Sequence, residues 1–186
     1  MLPTLVHASN THLYLLSFSL FFPLFTGMLP AAWKYLSNTG SVTDTCFPYT
    51  AGGGNAPACP NACKDSEDWA SAKHKATGGY ALNSVTAMQQ EIMTNGPIQV
   101  AFNVYKSFMS YKSGVYKKKP LELLPEGGHA VKIVGWGTDP SGGDYWTVAN
   151  SWNTNWGDSG FFKIVRGSNE CGIEKRGPPY AGKPAL

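Results

Sequence analysis

From Ile98 onward the chain changes its period. Ile98, Val100, Phe102 and Val104 are apolar and alternate with Gln99, Ala101 and Asn103, the two-residue repeat of a half-buried strand. Three more strands are predicted over 130–136, 145–150 and 161–165. Turn-rich segments separate them, Asp139-Pro140-Ser141-Gly142-Gly143 and Gly157-Asp158-Ser159-Gly160. Before Ile98 the spacing is helical. Ser84 is placed to cap a helix whose stripe is Val85, Met88 and Ile92, and Asn95-Gly96-Pro97 stops it. An earlier helix is predicted over 29–39. Pro30 suits its first turn, Trp33 and Leu36 share a face, and Gly40 ends it. Between the two helices, residues 46–65 form a Gly/Pro/Ala-rich loop that cross-links would have to hold. A helical first part followed by an antiparallel β part is an α+β fold.

Composition narrows the function without naming it. The 186 residues are 42% hydrophobic, 13% aromatic and only 15% charged, which excludes disorder for the bulk of the chain. A net charge of +3 gives no electrostatic case for a nucleic-acid partner. The one dense basic run, Lys117-Lys118-Lys119, reads as a solvated loop. Residues 1–26 stand apart from the rest. Their apolar run over 13–25 is broken by Pro23, is shorter than a bilayer span, and has no Lys or Arg before it. It reads either as a signal-like segment or as a misjoined start.

The chemistry-bearing residues are few. Cys46, Cys59 and Cys63 cluster, while Cys171 lies far away; an even count suggests disulfides and an oxidising compartment. Zinc on Cys59, Cys63 and His74 is the rival reading, but no fourth ligand completes a tetrahedral set, so no metal is expected. Cys171 reads as a free buried thiol. His129 opens a strand after Gly127-Gly128. A hairpin turning within 139–143 sets it directly opposite Asn150, where an amide oxygen would fix the tautomer of the imidazole. Trp152 is close enough in sequence to shield that bond. No Gly-x-Ser-x-Gly elbow is present, and Gly52-Gly53-Gly54 lacks the Lys-Ser/Thr of a phosphate loop.

Gly127-Gly128-His129-Ala130-Val131 with Gly135-Trp136-Gly137 resembles the histidine region of papain-like cysteine peptidases. Asn150-Ser151-Trp152-Asn153-Thr154-Asn155-Trp156-Gly157 is similar to their asparagine region. Asn95-Gly96-Pro97, Tyr111-Lys112-Ser113-Gly114-Val115-Tyr116 and Cys171-Gly172-Ile173-Glu174 fit the cathepsin B-like branch. The resemblance implies an incomplete two-lobed fold, with residues 27–82 the remnant of a helical, disulfide-bearing left lobe and 83–186 a β-barrel right lobe. It implies that His129 is the general base and acid and that Asn150 orients it. Gly127, Gly128, Trp152 and Trp156 would line the substrate groove, with Arg176 at the floor of the main specificity pocket, where an acidic residue is often found. It further implies a Cys46–Cys63 disulfide, with Cys59 left as an orphan thiol.

The same resemblance implies a peptide or protein substrate, no cofactor, cystatin-type inhibitors, a monomer, and a lysosomal or extracellular setting. The loop 46–59 lacks the paired histidines of the branch's occluding loop, which favours endopeptidase over carboxydipeptidase action. One part of the family pattern is missing: no Cys-Gly-Ser-Cys-Trp segment occurs, so the nucleophile and the oxyanion Gln are not found. The expectation is therefore a peptidase homologue inactive as this chain. The alternatives are a non-catalytic peptide-binding module and an unstable fragment.

Overall fold

A computed structural model describes residues 27–55 and 57–185, so the segment 1–26 lies outside the described residues. Helix α1 spans Leu29–Asn38, with Pro30 in its first turn, and α2 spans Val85–Thr94. The Ser84 hydroxyl accepts a hydrogen bond from the Ala87 backbone N–H (3.0 Å), so α2 starts where the capping residue predicts. A single helical turn, α3, follows at Lys106–Met109.

Among the described residues, seven strands build one sheet: β1 (Ala76–Ala81), β2 (Ile98–Val104), β3 (Val115–Tyr116), β4 (Gly127–Asp139), β5 (Gly143–Ala149), β6 (Phe161–Val165) and β7 (Tyr180–Pro184). Their order is β1-β7-β2-β4-β5-β6-β3. The expected all-antiparallel arrangement needs one correction. β3 runs parallel to β6, pairing Val115 with Lys163 and Tyr116 with Ile164, so the sheet is mixed. A second correction concerns β1. It lies in the stretch expected to be helical, yet it pairs with β7 and so joins the sheet of the later residues.

The alternation in β2 does what its period requires. Ile98, Val100, Phe102 and Val104 enter one core with Val131 and Ile133 of β4, Trp146 and Val148 of β5, and Phe162 and Ile164 of β6. Phe108 of α3 packs edge-on against Phe102 (5.0 Å between centroids) and Phe162 (4.8 Å). Trp146 is fully buried, and its indole N–H donates to the Glu174 carboxylate (3.0 Å). The same carboxyl group accepts from the backbone N–H groups of Gly167 and Asn169, so this buried polar group is well partnered.

Residues 27–75 carry little of that core. Cys46 and Cys63 form a disulfide across the loop, and the N–H of Lys64 donates to the carbonyl of Cys46 (2.8 Å). Trp33 of α1 lies on the β1–β7 pair, where bare backbone is required. A Cβ on Gly79 would sit 2.5 Å from that side chain, and one on Gly182 2.4 Å from it.

Candidate active site

β4 delivers His129, and the turn after β5 delivers Asn150. His129 Nε2 lies 2.8 Å from Asn150 Oδ1. An amide oxygen only accepts, so Nε2 carries the proton and Nδ1 is left as the basic nitrogen. The same Oδ1 also accepts from the Ser151 backbone N–H (2.8 Å), which fixes the amide plane.

The expected register needs correcting. Lys132 pairs with Ala149 and Ile133 with Val148, so the ladder sets Val131, not His129, level with Asn150. The hairpin turns about residue 141, pairing Asp139 with Gly143, rather than midway between 139 and 140, and a register irregularity between Ile133 and Gly135 then moves the count back by one residue; sequence alone locates neither. The two residues still share a face, because the offset is two and the strand period is two. They meet diagonally across the strand end, within reach of an imidazole and an amide.

Aromatic rings frame the imidazole. The Trp152 ring stacks on it at 5.0 Å and 24°, and Phe102 lies beneath it at 6.0 Å. Trp156 meets Trp152 edge-on at 5.1 Å, and its indole N–H donates to the Met109 carbonyl (3.0 Å). The turn carrying these tryptophans is closed by Gly160, whose N–H donates to Trp156 and whose carbonyl accepts from Asn150. Gly157 takes a positive φ of 62°, and a Cβ there would come within 2.6 Å of the Phe161 carbonyl oxygen. Burial holds His129 below the usual histidine pKa, and the Asn150 hydrogen bond opposes that shift only in part.

Arg176 comes to the same neighbourhood from the last segment. Its guanidinium lies 3.0 Å from where a Cβ on Gly128 would stand, so the bare backbone beside His129 makes room for it. Asn103, the cross-strand partner of Gly128, has a buried Oδ1 with no hydrogen-bond partner among the described residues. Pattern reading passed over Asn103, since in a strand it reads only as an outward polar position. Its pairing with Gly128 is what brings it to the site.

The cysteines divide into three environments. Cys46 and Cys63 are bonded to each other, Cys59 is free and exposed, and Cys171 is free and buried. Burial and the neighbouring Glu170 push the Cys171 thiol up to about 12, the reverse of an activated nucleophile. Among the described residues, Cys46, Cys63 and Asp65 bring ligand atoms within 4.8 Å of one another, but both sulfurs are committed to the disulfide. The rival zinc set of Cys59, Cys63 and His74 loses Cys63 in the same way.

Known proteins supply the comparison. The model of the papain family cysteine protease matches residues 25–178. The chain is 46% identical over 153 residues to Cathepsin B-like CP3 of Giardia intestinalis, covering 81% of this chain and 50% of that protein. It is 44% identical over 161 residues to Cathepsin B-like protease 1 of Arabidopsis thaliana, covering 80% and 42%. Among solved structures, proCathepsin B S9 from Trypanosoma congolense superposes with a TM-score of 0.72 at 36% identity, over 83% of this chain and 52% of that one. The chain thus spans about half the length of the curated relatives it matches. With the family model covering most of its length and these relatives all cathepsin B-like, the chain belongs to the papain family of cysteine peptidases.

Proposed function

We propose that this chain carries the acid–base half of a peptide-hydrolysing site. His129 is its general base and acid, Asn150 orients the imidazole, and Trp152 excludes water from their hydrogen bond. The observation that carries this reading is the 2.8 Å contact from Nε2 to Asn150 Oδ1 beneath a stacked indole. That contact commits one nitrogen and leaves Nδ1 to take a proton from a thiol and return it to a leaving amine. Burial disfavours an isolated imidazolium, so the charged form of His129 calls for a thiolate beside it.

None of the four cysteines is suited to be that thiolate. Two are in a disulfide, Cys171 is held protonated, and Cys59 stands in the exposed loop over 46–65. The 186-residue chain alone is therefore expected to give no peptide turnover and no labelling by a thiol-directed epoxide. Measurable hydrolysis by the purified chain would reject that. The role of His129 has a separate test. Nitrogen NMR is expected to find the proton on Nε2, and Asn150→Ala to mix the tautomers; a proton on Nδ1 in the unsubstituted chain removes the proposed base.

Arg176 beside Gly128 supports a preference for acidic over basic substrate side chains in the adjoining pocket. A peptide-library profile of a form completed with a nucleophile reads this directly, and a basic preference overturns it. The absence of histidine from the loop 46–59 supports endopeptidase action. The disulfide supports an oxidising setting, lysosomal or extracellular, with peptide substrates and cystatin-type inhibitors as partners of a monomer. No helix among the described residues is long and apolar enough to cross a membrane.

A further inference from the structure

Between β3 and β4 the sequence Lys117-Lys118-Lys119-Pro120-Leu121-Glu122-Leu123-Leu124-Pro125 does something a solvated loop does not. Leu121 is 92% exposed, Leu123 82% and Leu124 84%, which puts three large aliphatic side chains side by side in water. Scattered exposed leucines are ordinary, whereas three within four residues form a patch.

The polar residue among them is turned inward and tied down. The Glu122 carboxylate accepts from the Ser107 N–H (2.6 Å), the Ser107 hydroxyl (2.5 Å) and the Lys119 N–H (3.2 Å). Its carbonyl accepts from Lys118 Nζ (2.9 Å), and that ammonium also lies over the Tyr105 ring at 5.1 Å. Fixing Glu122 to the body of the fold is what leaves its leucine neighbours facing outward. Lys118 is consumed in this anchoring, but Lys117 and Lys119 are exposed and make no salt bridge among the described residues.

We propose that this loop inserts its leucines into the surface of an anionic lipid bilayer. Apolar side chains at a rigid tip gain by leaving water. Two exposed ammonium groups on the same loop match a negatively charged headgroup layer, and the carboxylate among the leucines is turned toward the body of the fold by its hydrogen bonds to Ser107. A protein partner would satisfy the leucines equally well, but the adjoining lysines favour an anionic surface.

The test places its readout in the loop, because residues 13–25 are also apolar and would confuse whole-chain sedimentation. The 186-residue chain carrying Cys59→Ser and Leu123→Cys is labelled at position 123 with an environment-sensitive fluorophore. It is then titrated with phosphatidylcholine vesicles with and without phosphatidylserine. Emission is expected to shift to the blue only when phosphatidylserine is present, while the same label on Ser66→Cys stays unshifted. Adding Leu121→Ser and Leu124→Ser should raise the lipid concentration at half-effect about tenfold or more. Lys117→Gln and Lys119→Gln should each raise it about fivefold. Circular dichroism of each variant verifies the fold. An unshifted label on every vesicle, as a loop reserved for a protein partner would give, overturns the proposal. So does a shift that survives removal of the leucines.

Discussion

In residues 83–186, Phe102, Phe108, Trp146 and Phe162 are buried together in one cluster; among the described residues of 27–82 the buried apolar ones are Leu29, Cys46, Ala72 and Leu82. The later region is held by side-chain packing across six strands and two helices. The earlier one is held by a disulfide, by turn hydrogen bonds, and by β1 pairing with β7 at the sheet's edge. The site inherits the difference. His129, Asn150, Trp152 and Trp156 all stand on the packed region, where Phe108 contacts both tryptophans (5.6 and 5.0 Å) and carries the core's rigidity up to the imidazole.

The most forceful way to break the comparison is Phe108→Ala. Losing a fully buried aromatic that touches six other rings should cost about 3–5 kcal/mol of unfolding free energy. The near-ultraviolet signal of Trp152 and Trp156 should collapse along with it. A loss near 1 kcal/mol in a denaturant titration would mean that the later region is not held by this core.

Reducing the Cys46–Cys63 bond tests the other side. It closes a loop of 17 residues, so the chain-entropy model assigns roughly 3 kcal/mol to it. The expected loss is local. Amide exchange should accelerate over the loop and α1, while β2, β4 and β5 keep their protection. Uniform loss of protection would show that the two regions unfold as one unit.

These two regions also differ in how much the sequence disclosed. β2, α2, β5 and β6 follow from period and capping, because each buries one regular face in the same core. β1 escapes because Gly78 and Gly79 erase its alternation, and the reason for Gly79 is Trp33, a contact between residues 46 positions apart. β7 carries Pro184 and β3 is two residues long, so neither has a pattern to read. At the site, the motif residues were legible as types but their register was not. The diagonal meeting of His129 and Asn150 depends on an irregularity in β4, and Arg176 reaches Gly128 only through the turn of its own segment.

A smaller effect sharpens the boundary at residue 83. Ser84→Ala removes the hydroxyl that caps α2 and should cost about 1 kcal/mol. Because Met88 of that helix is part of the later core, the loss should appear in the global unfolding of residues 83–186. An effect confined to fraying of the first helical turn would detach α2 from that unit.

The smallest expected effect is a pH dependence specific to the packed region. Burial lowers the folded pKa of His129 below the ordinary 6.5, so between those two values the unfolded chain binds more protons than the folded one. Stability should therefore fall as the pH drops below about 6.5 and level off once the folded imidazole also titrates. The shift is moderated because Asn150 accepts from Nε2–H, a bond that is stronger when the ring is a charged imidazolium. In denaturant titrations across this window, His129→Gln should remove the slope while leaving the acid transition of the surface carboxylates in place. Stability that rises on acidification would instead mean that the folded protein stabilises the imidazolium, as a thiolate or carboxylate within reach of Nδ1 would do. The sign of one slope thus reports whether His129 waits as a neutral base or is already paired with an anion.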